Sequence, residues 1–186
     1  MKKKTPKYDR VMFYVSVAAM VILIYSVSFI AFGSVLQEGL FLVGAAILFA
    51  SATASKQKVV QALEVIIIVG VVLGILNLNV VYSLTIILSI SLLMVAYLLS
   101  IEHYKKEPIG SIGSIGFILL AIGFAFNTGS NPMVTGFALA SGSLLIAIYS
   151  ATSYVLYKVR LQIVITILNI VFAISPLLLF LKALGI

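Results

Sequence analysis

Five acidic side chains and a single histidine are the groups of this sequence that could bind a proton or a cation. Among them, Glu64 stands within a long apolar run, three residues after Gln61 and six after Lys58. One interpretation is a proton or cation site that faces neighbouring helices. The other is an acid at a helix start near the membrane surface, paired with Lys58 or Lys56. The direction of the Glu64 carboxylate decides between them.

Asn169 completes the candidate polar site formed by Glu64 and Gln61. It lies in the last apolar run with Thr166, and both side chains are expected to hydrogen-bond across helices or to satisfy the backbone group freed by Pro176. We also expect a kink near Ile174. If the chain carries a polar pathway, Asn77 and Asn79 are additional lining residues.

The remaining ionisable groups have simpler interpretations. Glu38, with Gln37, begins an apolar run at a helix N-terminus, where a carboxylate is favourable. The segment from Glu102 to Glu107 contains the only histidine, His103, and ends at Pro108, so a solvated loop is predicted there.

The sequence lacks the residue sets that catalysis requires. There is no cysteine, and no acid pair accompanies the one histidine. Glycine-rich phosphate loops and nucleophile–base pairs are also absent from the sequence. We therefore predict no enzymatic activity, no catalytic residues, no metal site and no cofactor.

Composition places the chain in a lipid environment. It has 186 residues, of which 63% are hydrophobic and 9% are charged. Soluble domains carry about 25% charged residues, so lipid rather than water is expected to cover most of this surface. The net charge of +7 is explained by topology, described next, and we predict no nucleic-acid partner.

Seven apolar runs are long enough to be transmembrane helices, which need roughly 20 residues. After a basic tail of residues 1–10, a single transmembrane domain is predicted over residues 11–186. The runs are Val11 to Phe32, Leu36 to Ala54, Val59 to Leu76, Val80 to Ser100, Ser111 to Phe126, Met133 to Leu156 and Leu161 to Leu184. The predicted fold is an all-α, polytopic membrane helix bundle.

The basic residues mark one side of this bundle. Eleven of the 12 lie in the N-terminal tail and in every second connection, and the twelfth is Lys182. Because cytoplasmic loops are rich in Lys and Arg, the N-terminus is predicted inside the cell membrane and the C-terminus outside. The connections are short, so helices adjacent in sequence should pack as antiparallel neighbours.

Glycines are expected to let helices approach closely, since small residues drive association in lipid. Gly70 and Gly74 form one GxxxG pair, and Gly113 and Gly116 lie on the fifth helix. The same faces are available for a homo-oligomer or for other membrane subunits.

Three helical hairpins can be superimposed on the sequence, followed by one further helix. Ser51-Ala52-Thr53 recurs as Ser150-Ala151-Thr152, in the first and third hairpins. With the segments Gly116 to Gly123 and Gly142 to Ala147, residues 11–156 resemble the HdeD-like acid-resistance membrane protein family. That family has six helices, no catalytic residues come with it, and the seventh helix here is unmatched. The resemblance implies a stress-type membrane protein.

A second architecture is three helices, a linking helix and three more, as in SWEET-type sugar transporters. Its second half would begin near Ser111. We rank it lower because that family begins outside the cell and because its proline pattern is missing from the first helices.

Two classes of function remain. The favoured one is a non-enzymatic accessory or structural subunit of a membrane assembly, or a stress-type membrane protein, since the helices are mostly free of charge. The alternative is a small transporter or channel for a small solute, a proton or a cation. A Glu64 buried near Asn169 would favour transport.

Overall fold

In a computed structural model of the chain, six helices begin and end within one residue of the predicted runs, whereas the first begins at Pro6, within the segment predicted as a basic tail. The structure describes residues 6–29, 34–76, 78–101, 110–126, 131–158 and 160–186. Within these ranges there are seven α-helices and no β-strand. The helices are α1 (Pro6–Phe29), α2 (Val35–Ser55), α3 (Lys58–Ile75), α4 (Val80–Ser100), α5 (Gly110–Phe126), α6 (Pro132–Tyr157) and α7 (Arg160–Ala183).

The prediction of an all-helical, apolar bundle is confirmed. Five helices, α2, α3, α4, α6 and α7, are long and apolar enough to cross a membrane. The apolar parts of α1 and α5 are shorter, covering Arg10–Ser26 and Gly110–Phe126. The helices therefore have the apolar character of a membrane protein, while the count of seven spans and their direction stay predictions.

Helix starts follow the capping chemistry of the turns. The Ser34 hydroxyl accepts a hydrogen bond of 3.3 Å from the Gln37 backbone N–H at the start of α2. The Asn79 and Asn131 side chains accept from Val81 and Val134 in the same way, at 2.9 and 3.1 Å. Such side chains satisfy backbone donors that have no partner within the helix.

Two helices end at a lysine with a left-handed backbone conformation. Lys56 ends α2 and Lys158 ends α6, both in the left-handed region, with φ of 61° and 56°. Each turn reverses the chain within two residues, because α3 begins at Lys58 and α7 at Arg160. The lysines at both turns are exposed, as expected of residues at a polar surface.

The packing divides the bundle into two units of three helices. Each helix packs against its neighbours in sequence, as the short connections predicted. In addition, α1 packs against α7, and α3 packs against α5. Exchanging α1–α3, the first unit, with α5–α7, the second unit, converts the contacts within one unit into those within the other, and the α1–α7 contact into the α3–α5 contact. The remaining helix, α4, lies against α3 and α5 at the edge.

Two glycines of α6 allow close contacts with the backbones of neighbouring helices. A Cβ atom added to Gly136 would lie 2.7 Å from the Phe180 backbone nitrogen and 2.7 Å from the Pro176 carbonyl oxygen of α7. On the other side, a Cβ on Gly142 would lie 2.8 Å from the Leu120 nitrogen of α5 and 3.0 Å from the Gly116 carbonyl oxygen. Backbones approach this closely only where no side chain intervenes.

Pro176 is accommodated within α7, which continues to Ala183. Proline removes one backbone donor from a helix interior. Its own carbonyl oxygen faces Gly136, so this part of α7 is held against α6. The expected kink near Ile174 stays a prediction.

The glycine contact predicts a specific loss of stability. Gly136→Ala should lower the free energy of unfolding by about 1–3 kcal/mol, because the added methyl group meets backbone atoms that cannot rotate away. Gly39→Ala is the matched control, since a Cβ there meets nothing within 4 Å. Thermal unfolding in detergent measures both variants; equal midpoints would contradict the assigned α6–α7 contact.

Candidate functional site

Glu64 is buried in the interior of the bundle. Its exposed fraction is 0%, and neither carboxylate oxygen has a hydrogen-bond partner among the residues that the structure describes. Lys56 and Lys58, the partners expected for a surface acid, are both exposed. The surface-pair interpretation is therefore wrong. Six residues beyond Lys58 place Glu64 about 9 Å along the helix axis, where its side chain meets the neighbouring helices rather than the polar boundary.

Gln61 and Asn169 do not form a hydrogen-bonded cluster with Glu64. The Gln61 amide donates to the Thr53 hydroxyl of α2 at 2.9 Å, in an exposed position. The Asn169 amide is buried and donates to the Ile165 carbonyl of its own helix at 2.9 Å. The three predicted site residues thus lie in three different environments.

The expectation that Thr166 and Asn169 bond across helices is also wrong. The Thr166 hydroxyl donates to the Gln162 carbonyl at 2.7 Å, again four residues earlier in α7. Short polar side chains in a helix reach this carbonyl without help from a neighbour. The Thr166 hydroxyl and the Asn169 NH2 group therefore donate within α7.

An inner cavity nevertheless connects Asn169 with the helix that carries Glu64. Asn169 is its polar lining residue, and α3 contributes Ile67. The remaining lining is apolar: Leu23, Phe41, Leu120, Phe124, Leu168 and Phe172. The cavity lies between the two three-helix units, since every lining residue belongs to one or the other.

An outer cavity lies on the side of the α2 N-terminus. It is small, with about 20 Å³ of space for a water-sized sphere, which is room for about one water molecule. Its lining is Gln37, Glu38, Phe41, Gly70, Val71, Gly74, Phe124, Leu139 and Phe172. The two cavities share three phenylalanines, so they are successive spaces along one interface.

The predicted packing glycines Gly70 and Gly74 line this outer cavity. A Cβ on Gly70 would lie 2.6 Å from the Phe124 ring, and one on Gly74 would lie 3.1 Å from a Glu38 carboxylate oxygen. The pair makes room for a ring and a carboxylate. Gly116 instead lies at the α5–α6 contact, and Gly113 is buried in the same helix.

Three aromatic rings line both cavities. The rings of Phe41 and Phe172 meet edge to face with centroids 5.5 Å apart, and those of Phe124 and Phe172 lie 6.4 Å apart. We call Phe41, Phe124 and Phe172 the aromatic cluster. It joins α2 of the first unit to α5 and α7 of the second, so a relative movement of the units would rearrange it.

Glu64 is on the α3 face that lines these cavities. It lies three residues before Ile67 of the inner cavity and seven before Val71 of the outer one. Side chains at these spacings project from nearly the same side of a helix. Glu64 is not itself a lining residue, and it lies about one helical turn below the inner cavity.

Other buried polar side chains differ in whether they are hydrogen-bonded. The hydroxyls of Ser16 and Ser51 pair at 2.7 Å between α1 and α2, and both lie near the Met12 carbonyl. In the part of the chain that the structure describes, the hydroxyls of Ser91 and Ser153 are buried without a hydrogen-bond partner. A hydroxyl costs far less to leave unpaired than a carboxylate does.

Several predicted features lie outside the described residues. These are Asn77 and the loop from Glu102 to Glu107 with His103 and Pro108. Among the residues described, no group of three or more His, Cys, Asp or Glu side chains is arranged to hold a metal ion. Glu64 remains the ionisable side chain that the fold buries most completely.

The aromatic cluster was not found from the sequence. Phenylalanine occurs 11 times in the chain, mostly in apolar runs, and nothing in its spacing distinguishes an internal ring from a lipid-facing one. The proximity of α2, α5 and α7 is what groups these three.

Comparison with known proteins gives no assignment: no protein-family model matches the chain, and no characterised protein or solved structure is similar to it.

Because Glu64 is buried without a partner among the described residues, we expect it to lower the free energy of unfolding. Glu64→Leu should raise the free energy of unfolding by about 1–3 kcal/mol, because it removes a buried polar group that has no partner. Gln61→Leu, one turn earlier, should instead lower the free energy of unfolding, since it removes the hydrogen bond to Thr53. Chemical or thermal unfolding in detergent compares them, and a destabilised Glu64→Leu protein would show that the carboxyl group has an important partner.

Proposed function

We propose that this protein is a seven-span membrane transporter or channel for a proton or a small cation, with Glu64 as the internal binding residue. The observation that carries the proposal is the complete burial of an unpartnered carboxyl group within an apolar helix. Such groups are expensive inside a membrane and mark proton or ion pathways. A protein that only packs against lipid or other subunits gains nothing from keeping one.

The two cavities support a pathway. They lie in line between the first and second three-helix units, and the aromatic cluster closes the interface between them. Transporters built from two repeated units carry their sites between those units, near the middle of the bilayer. The packing order of the helices fits the arrangement of three, one and three better than three successive hairpins.

We further propose that the N-terminus is cytoplasmic and the C-terminus external. The distribution of Lys and Arg supports this direction. With this orientation, the outer cavity opens away from the cytoplasm and Glu64 lies in the cytoplasmic half of α3.

Cysteine labelling tests the proposed topology directly, because the chain has no cysteine of its own. In intact cells, a membrane-impermeant maleimide should label Val35→Cys and Leu184→Cys, which lie at exposed external ends. Arg160→Cys should react only after the membrane is permeabilised. The reverse pattern would show an inverted protein, and labelling of Val35→Cys without Leu184→Cys would show an even number of spans.

Reconstituted vesicles test transport. With a pH-sensitive dye trapped inside, wild-type protein should dissipate an imposed proton gradient, and Glu64→Gln should reduce the rate to that of protein-free vesicles. Ser89→Ala is the control, since this exposed α4 residue lines neither cavity and donates to its own helix. Equal rates of gradient dissipation for wild type and Glu64→Gln would show that Glu64 is not part of the pathway.

The second candidate is the accessory or stress-type membrane protein favoured by the sequence. The exposed aliphatic face of α4 supports it, since this helix buries only Ser83, Ile87, Ser91 and Leu98 among the described residues. Lipid covers such a face equally well. Purification in mild detergent separates the candidates, because a partner present in fixed stoichiometry would favour the accessory role.

A further inference from the structure

We propose that Glu64 binds a proton and not a metal cation, so that the protein is selective for protons. This inference rests on the proposed function, which allows a proton or a small cation, and it names the cargo. Binding at Glu64 and flux across the membrane are separate measurements, so the selectivity and the transport function can fail independently.

The surroundings of Glu64 lack a second buried charge among the described residues. The helices packed against α3 are α2, α4 and α5. The described titratable side chains of these helices and their ends are Glu38, Lys56, Tyr82 and Tyr97, and none of them is buried. In the same part of the chain, no group of three His, Cys, Asp or Glu side chains is arranged to hold a metal ion. A metal cation at Glu64 would therefore have a single carboxylate to bind.

Backbone carbonyl groups do not supply the missing ligands. Sodium sites inside membrane transporters commonly use the carbonyls of unwound helix segments. Here α3, α4 and α5 run without interruption over Lys58–Ile75, Val80–Ser100 and Gly110–Phe126. The carbonyl groups near Glu64 are thus engaged in the hydrogen bonds of their own helices.

The Ser91 hydroxyl of α4 is the strongest candidate for a second oxygen ligand. Glu64 precedes the end of α3 by as many residues as Ser91 follows the start of α4, so these antiparallel neighbours place them at about the same depth. The hydroxyl is buried without a hydrogen-bond partner among the described residues. A metal cation exchanges its hydration shell for several oxygens, and one hydroxyl with one carboxylate is too few. A proton bonds to one carboxylate oxygen and needs no further ligand.

The two cavities are also too small for a hydrated metal cation. Each has about 20 Å³ of space for a water-sized sphere, which is room for about one water molecule. The outer cavity offers such a water two polar side chains, Gln37 and Glu38, and the inner one offers Asn169. A proton is relayed between side chains and single water molecules, so spaces of this size are sufficient for it.

Infrared spectroscopy of the whole protein in lipid vesicles measures proton binding at Glu64, through the carboxyl C=O band that Glu64→Gln lacks. We expect this band to disappear as the pH rises, with the same midpoint in sodium chloride and in N-methylglucamine chloride of equal concentration. A metal cation competing for the carboxylate would move the midpoint to lower pH, by up to about one unit for each tenfold rise in sodium. Such a movement, or a band that does not respond to pH, would overturn the inference.

Ser91→Ala is the matched variant for a metal site. It removes an unpartnered hydroxyl and adds no atom that must be packed, so the protein should fold. We expect the same midpoint as in the wild type, with and without sodium. A sodium-dependent midpoint in the wild type that Ser91→Ala abolishes would identify a metal site formed by the two side chains.

Flux in the same vesicles gives an independent answer. Radioactive sodium uptake should not exceed that of protein-free vesicles while an imposed proton gradient is dissipated. Sodium uptake that is lost in Glu64→Gln would overturn the selectivity and leave the transport function in place. A sodium-independent titration of Glu64 without any flux would support the proton site and contradict the transport function.

Discussion

The fold depends on the requirement that backbone polar groups be satisfied inside an apolar environment. Each helix satisfies its own N–H and C=O groups, so helix faces meet without backbone hydrogen bonds between them. Close packing of neighbouring helices then becomes the main interaction that holds them together. The two sides of α6 follow this rule, with Gly136 against α7 and Gly142 against α5. The second three-helix unit is consequently held together around α6.

The same requirement makes the treatment of buried side chains informative. Ser114, Thr166 and Asn169 bond to carbonyls four residues earlier in their own helices. Ser16 and Ser51 pair with each other. Glu64 has neither solution, although it is buried as completely as the aliphatic residues around it. Some buried hydroxyls, such as those of Ser91 and Ser153, also lack a partner among the described residues, but Glu64 is the carboxyl group among these unpartnered groups.

The packing between the two units is looser than the packing within the second unit. Both cavities lie at this interface, and large side chains of the aromatic cluster meet there, with the Phe124 ring against Gly70. Interfaces of this kind have fewer fixed backbone contacts and can adopt more than one arrangement. Two acids lie near this interface, Glu38 in the lining of the outer cavity and Glu64 about one helical turn from the inner one.

The sequence by itself determined the helical class and nearly all helix bounds. Charge, glycine, asparagine and proline interrupt the apolar runs, so α3 and α4 begin within one residue of their predicted starts. Only the tertiary structure decided which side of each helix faces inward. Apolar residues surround these helices on all sides, so their sequences carry no periodic signal for an inner face. The burial of Glu64, the bond of Asn169 to its own helix and the meeting of Phe41, Phe124 and Phe172 all follow from how the helices are rotated and paired.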